Sequence, residues 1–203
     1  MKNSDKKIIL DLCGGTGSWS KPYKEAGYDA RLITLPGHDV RAYEPPENVY
    51  GILAAPPCTE FSLAKNGCLR KRDFTMGMEI VKRVMEIIWQ CRISGSLKFW
   101  ALENPVGYLR QFLGKPFYTF EHWQYGEPLI KRTDIWGYFN NPTPAVKKKP
   151  SGMVVRYPNG RTNSLVYHSY QCPPEYKHLN LDRAALRAIT PPGFAKAFFK
   201  ANP

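Results

Sequence analysis

Short apolar runs, each closed by glycine, proline or an acid, alternate along this chain with stretches of helical spacing. Lys6 to Leu12 carries Ile8, Ile9, Leu10 and Leu12 in close succession, which predicts a strand with Asp11 near its C-terminal end. Cys13 to Trp19 follows with Gly14, Gly15 and Gly17, a turn that can bend tightly and approach a ligand closely. A helix is predicted over about residues 19–26, closed by Gly27, and a second strand over 28–35. Gly51 to Ala55 is a third apolar run, and it opens into Pro56-Pro57-Cys58. From 76 to 92 the apolar positions Ile80, Val84, Ile87, Ile88 and Cys91 fall on one helical face, with Met85 and Trp89 read as further core. Leu97 to Leu102 predicts another buried strand, ending at Glu103-Asn104-Pro105. A short helix over 106–112, an aromatic-rich stretch over 117–126 and a strand over 135–139 come next. Helices over 181–189 and 194–200 close the chain, the second introduced by Thr190-Pro191-Pro192-Gly193.

Strand, Gly-rich turn, helix and strand in series is the nucleotide-binding unit of open α/β sheets, in which sites form at the C-terminal ends of the strands. The 203 residues suffice for one domain with a sizeable core. The division expected is a core over 1–139, a short basic variable region over 140–180 and a helical segment over 181–203 packing on the core. Charge adds a partner class: 29 Lys and Arg against 17 Asp and Glu leave +12, which suits a polyanion, nucleic acid first. The five cysteines are odd in number and none is paired at C-x-x-C spacing, so neither a disulfide framework nor a zinc site is expected, and no metal is assigned. No run reaches membrane length and no signal-peptide pattern is visible. The expectation is an intracellular protein, cytoplasmic or nucleoid-associated, with no membrane partner.

Two positions carry candidate chemistry. Cys58 stands just past a strand on a stiff support, since two successive prolines fix φ and remove backbone donors. That placement suits a nucleophilic thiolate; it also suits a buried apolar cysteine in a Pro-bounded turn. Glu103 ends a central strand, where an acid is costly to bury without a partner. It can face Cys58 across the crevice, or serve a turn with Asn104. Asp39 can accept from an exocyclic amine or a ribose hydroxyl, or close an Asx turn. Lys65, Arg70, Lys71 and Arg72 form a basic loop after Cys58, able to cover a polyanion or to lie solvated. Lys131 and Arg132 stand beside aromatics, and Lys147, Lys148, Lys149, Arg156 and Arg161 make a basic stretch suited to phosphates.

The ordered set DLCGGTG (Asp11 to Gly17), PPCTEFS (Pro56 to Ser62) and ENP (Glu103 to Pro105) resembles the cytosine-5 DNA methyltransferase family. YGEPLIKRT (Tyr125 to Thr133) and RAITPPGF (Arg187 to Phe194) are weaker matches in the same order. The resemblance implies a Rossmann-like methyltransferase fold with a mainly parallel sheet, and S-adenosylmethionine as cofactor. It gives Cys58 the addition to carbon 6 of a flipped cytosine and Glu103 the hold on nitrogen 3 and the amine. Arg132 or Lys131 would assist the base or a phosphate. Asp11, Gly14, Gly15, Gly17, Asp39 and Pro56 fall to the cofactor, and DNA is the expected partner. The chain departs from the family in having no acid at Thr34 to Gly37, in reading Leu129 to Thr133 where Gln and paired Arg are usual, and in a short region for target recognition. Those departures imply weak sequence preference, or recognition supplied by a protein partner or second subunit. The competing readings are a free nucleotide or single-stranded substrate, and a nucleic-acid-binding protein that has lost catalysis.

Overall fold

In the computed structural model, which describes residues 6–127, 129–151, 154–156, 162–164 and 172–203, the first apolar runs form the middle of a six-stranded sheet. Its strands are β1 (Ile8–Leu12), β2 (Asp29–Ile33), β3 (Val49–Ala54), β4 (Phe99–Pro105), β5 (Tyr118–Glu121) and β6 (Arg132–Tyr138), in the order β2-β1-β3-β4-β6-β5. The first four are mutually parallel, and β6 runs antiparallel between β4 and β5. The fold is thus mixed α/β.

Alternation along the strands explains why helices cover both faces. Leu10, Leu12, Ile52, Ala54 and Leu102 point to one side and meet Val81, Val84, Ile87 and Ile88 of α2 (Phe74–Ile93). Ile9, Leu53, Phe99 and Ala101 point to the other, against Trp19, Tyr23 of α1 (Lys21–Glu25), and Phe194 and Phe198. The last two belong to α5 (Pro192–Ala201), which Tyr23 also secures by donating its hydroxyl to the Asn202 carbonyl at 2.8 Å. α2 begins earlier than its apolar face suggests, because Asp73 caps it by accepting from the Met76 amide. Trp89, expected in the core, is 61% exposed instead. It lies one residue past Ile88, off the buried stripe.

Other differences come from pairing. β4 continues through Glu103, Asn104 and Pro105 because those residues pair with Ile135, Asp134 and Thr133 of β6. The short helix expected over 106–112 is only one turn, α3 (Arg110–Leu113). The aromatic stretch becomes β5 and a 3-10 turn over His122–Tyr125. Within the basic region, β7 (Val154–Arg156) and β8 (Thr162–Ser164) form a small antiparallel pair. α4 (Arg183–Ala188) is capped by Asp182, which accepts from the Ala185 amide. Among the described residues no helix is long and apolar enough to cross a membrane. The strand order reverses at β1, whose chain passes to β2 on one side while β3 and β4 lie on the other. The crevice beyond the ends of β1 and β3 is where such sheets place ligands.

Candidate active site

The end of β3 is tied to its neighbours before the chain reaches Cys58. The Ala55 amide donates to the Leu12 carbonyl at 2.9 Å, continuing the β1–β3 ladder by one bond. Pro56 is buried, and its carbonyl accepts from Asn104 Nδ2 at 2.9 Å. A side chain of β4 therefore holds the proline support of the cysteine. Past Cys58 the chain turns, with the Phe61 and Ser62 amides donating to the Cys58 carbonyl at 3.0 and 2.8 Å. The Tyr108 amide then donates to the Phe61 carbonyl at 2.8 Å, and a Cβ at Gly107 would overlap that carbonyl, so the close approach requires glycine.

Charged groups brace the same loop from within. Glu60 is 2% exposed; it accepts from Lys65 and from the Asp73 amide at 2.8 Å. The Lys65 ammonium and that amide hold its carboxyl below the usual range. Arg72 donates to the carbonyls of Glu60 (2.7 Å) and Ser62 (2.9 Å) and to Asn66 Oδ1 (2.7 Å), and stacks over Tyr108. Lys65 and Arg72, expected on phosphates, are thus engaged in fixing the cysteine loop. Arg70 is 71% exposed, and Lys71 is exposed as well.

Cys58 is half-buried. Burial pushes its thiol up and the Glu103 carboxylate pushes the same way, while Lys131 and Arg187 pull it back down. Burial also raises Glu103, with Lys131 opposing and Asp134 reinforcing. Lys131 thus acts on both Cys58 and Glu103, and Glu103 on Cys58. Lys131, with its ammonium donating to the Arg187 carbonyl at 2.9 Å, lines a small pocket together with Glu103, His122 and Thr133. Arg132 is exposed at the start of β6, opposite Glu121. The cation beside Glu103 is therefore Lys131 and not Arg132. His122 and Thr133, which the sequence reading passed over, are buried and joined by a 3.2 Å hydrogen bond between Nε2 and Oγ1. The only sequence signal for them was one histidine within an aromatic run.

A second, larger pocket opens beside the glycine turn. Gly15, Thr16, Leu32, Thr34, Leu35 and His38 line one side, and Leu179, Leu181 and Ala185 the other. Ala188 and Ile189 line both pockets, so the C-terminal end of α4 and the residue after it are their common wall. Ser18 holds that wall to the turn by donating to the Thr190 carbonyl at 2.7 Å. Beneath the turn, Asp11 is fully buried and accepts from Ser20 Oγ at 2.5 Å. Its Oδ1 is buried without a hydrogen-bond partner, and burial raises its carboxyl to about 6. A Cβ at Gly14 would overlap that carboxylate, while Gly15 and Gly17 both have φ in the left-handed region. An unpaired acceptor under a turn without side chains, beside apolar walls, suits a ligand with a cationic amine at one end and a flat ring at the other.

Asp39 and the basic run after β6 remain among the predicted positions. Asp39 is held by Arg41 in a two-point ion pair and caps a 3-10 turn, which answers the Asx-turn alternative; its neighbour His38 lines the larger pocket. Lys147, Lys148 and Lys149 are exposed, beginning next to Val146, whose amide donates to the Gln124 carbonyl at 3.0 Å. Arg161 lies outside the described residues, and of Arg156 only the backbone in β7 is described. No protein-family model matches the chain, and no curated protein matches it.

Proposed function

We propose that this chain is a Rossmann-like methyltransferase that uses S-adenosylmethionine to methylate carbon 5 of cytosine in DNA. The observation that carries the reading is the junction of two motifs. Asn104, next to Glu103, holds the carbonyl of Pro56, two residues before Cys58, and the Glu103 carboxylate acts on the Cys58 thiol. A thiol and an acid close enough for one charge to act on the other, with a cation acting on both, supports conjugate addition to a pyrimidine. Glu103, its carboxyl raised by burial, can hold a proton at nitrogen 3 and so draw electrons from carbon 6. The Cys58 sulfur then bonds to carbon 6, and carbon 5 becomes the nucleophile. Lys131 steadies the negative charge that gathers on the ring.

Residues of the glycine turn and of the pocket beside it support the cofactor reading. Asp11, with its unpaired oxygen, and the backbone at Gly14 and Gly15 would hold the amino-acid end. Leu32, Leu35 and Leu179 would flank the adenosine. When bound, the cofactor supplies an electrophilic methyl group. Loss of the carbon-5 proton and cleavage of the carbon 6–sulfur bond return the aromatic ring and the Cys58 thiolate. A target base in duplex DNA must leave the stack to reach such a crevice.

One observation favours a single-stranded or free-nucleotide substrate instead: Lys65 and Arg72 are engaged within the loop, which leaves Arg70 and Lys71 there for phosphates. One experiment tests both. Labelled S-adenosylmethionine is supplied with cytosine-containing duplex, single-stranded DNA, RNA and deoxycytidine nucleotide. Transfer to DNA that disappears in Cys58→Ala and Glu103→Gln is the expected result. Transfer to none of the four overturns the proposal.

A further inference from the structure

If methyl transfer proceeds as proposed, one proton still lacks an acceptor. After transfer, carbon 5 carries both the methyl group and its original hydrogen, and the ring cannot regain its double bond until that hydrogen leaves. The groups already assigned cannot take it. Cys58 sulfur is bonded to carbon 6, Glu103 is occupied at nitrogen 3, and Lys131 is a cation hydrogen-bonded to the Arg187 carbonyl.

Two polar side chains of the pocket that Glu103 and Lys131 line have no role in the steps above. His122 and Thr133 line it with Glu103 and Lys131, and they are 2% and 1% exposed. The β5–β6 hairpin sets them side by side: Phe120 pairs with Thr133 and Glu121 with Arg132, and the His122 amide donates to the Lys131 carbonyl at 3.2 Å. The imidazole lies parallel to Phe120 at 5.7 Å and 14°, and Phe120 in turn stacks on Phe194 at 4.1 Å and 8°. That stack and the Nε2–Oγ1 bond leave the imidazole one orientation. We propose that His122, acting through the Thr133 hydroxyl, accepts the carbon-5 proton.

With the imidazole proton on Nδ1, Nε2 accepts from the Thr133 hydroxyl. As Thr133 Oγ1 takes the proton from carbon 5, its own proton passes to Nε2. The C5–H electron pair becomes the C5=C6 double bond, the C6–S bond breaks, and its pair returns to sulfur as thiolate. His122 is left as imidazolium and gives its proton to water when the product departs. Burial, reinforced by the Lys131 charge, holds His122 well below the usual histidine range, so the imidazole is neutral before the step and the imidazolium formed in it passes its proton on readily.

The inference rests on the methyl-transfer reading, and the test separates the two. Oligonucleotides carrying ordinary cytosine or 5-deuterocytosine, single-stranded and duplex, are incubated with S-adenosylmethionine and wild type, His122→Asn, Thr133→Val or Thr133→Ser. Loss of a general base slows turnover by about 10²–10⁴-fold. The expected result is that loss in His122→Asn and Thr133→Val, with a methylated, detergent-stable Cys58–DNA adduct accumulating on ordinary cytosine. Deuterium at carbon 5 should slow their residual turnover. Thr133→Ser, which keeps the hydroxyl, should recover most of the turnover lost in Thr133→Val and accumulate no adduct. Turnover lost without adduct, or unchanged in both variants, overturns the relay. Wild type that forms no adduct and transfers no methyl group sinks the methyl-transfer reading itself.

Discussion

Cys58 and Asp11 both sit where burial disfavours their charged forms, and the two consequences differ in sign for function. For Cys58, burial and Glu103 make the thiolate scarce at neutral pH, and Lys131 and Arg187 offset part of the effect. Capture of Cys58 by iodoacetamide, followed by peptide mass spectrometry, should therefore rise with pH through a range above that of an ordinary thiol. Lys131→Met removes a favourable charge and should move the profile further up, slowing capture at pH 7. An unmoved profile would separate Lys131 from the thiol. For Asp11, the folded carboxyl is raised to about 6 from an ordinary value of 3.8. The folded state then binds the proton more tightly than the unfolded chain. The associated stability is fully present below the unfolded value and is lost as pH rises through about 6, amounting to about 3 kcal/mol at most. Asp11→Asn should flatten that dependence and raise the melting temperature at pH 7 to 8, while weakening S-adenosylmethionine binding measured by calorimetry. A variant that is stabilised and still binds the cofactor at wild-type affinity would remove Asp11 from the cofactor site.

Elements, more than residues, decide which of these groups meet. Asn104 shows this most directly, because its amide spans from β4 to the carbonyl of Pro56. Asn104→Ala should cost about 1–3 kcal/mol through the lost buried hydrogen bond. It should also free the cysteine loop, so that Cys58 is alkylated faster while methyl transfer falls. Faster alkylation with intact transfer would mean that the loop needs no such anchor. The strand–glycine–helix unit and the cysteine loop were legible in the sequence because each is a local run: apolar residues in succession, glycines where a turn approaches another group, prolines where a support must be stiff. The β5–β6 hairpin was not. Whether Lys131, Arg132 or Thr133 faces the pocket depends on register against β4 and β5, and a KRT run carries no local trace of it. The same holds for β4, which continues through Pro105 only because β6 pairs with it. Lys65 and Arg72 read as charges for a polyanion or for solvent for a related reason. Their acceptors, Glu60 and the loop carbonyls, become a buried acid and a turn only once the chain has folded over Gly107.

At the scale of the whole molecule, the excess of +12 says that a polyanion is attracted but not where it is held. The fold sorts the cations. Lys65 and Arg72 are committed inside the cysteine loop, Arg110 to buried Asp134 by two bonds of 2.6 Å, and Arg41 to Asp39. Lys71 and the Lys147 to Lys149 run are exposed, and Arg70 is exposed with only a 4.0 Å ion pair to Glu60. Exposed cations can release counterions from a nucleic acid, whereas committed ones would first have to break internal bonds. Substitution of Lys147, Lys148 and Lys149 by Ala should therefore weaken binding to duplex DNA and reduce the log–log salt slope by up to about 0.9 per lost contact. Lys71→Ala should act the same way on a smaller scale. Arg72→Ala should differ in kind. It removes the partner of two loop carbonyls, so methyl transfer should fall sharply while the salt slope stays within error of wild type. A slope that drops with Arg72→Ala and holds with the lysine triple variant would reverse this assignment and put the nucleic acid on the cysteine loop rather than on the basic run after β6.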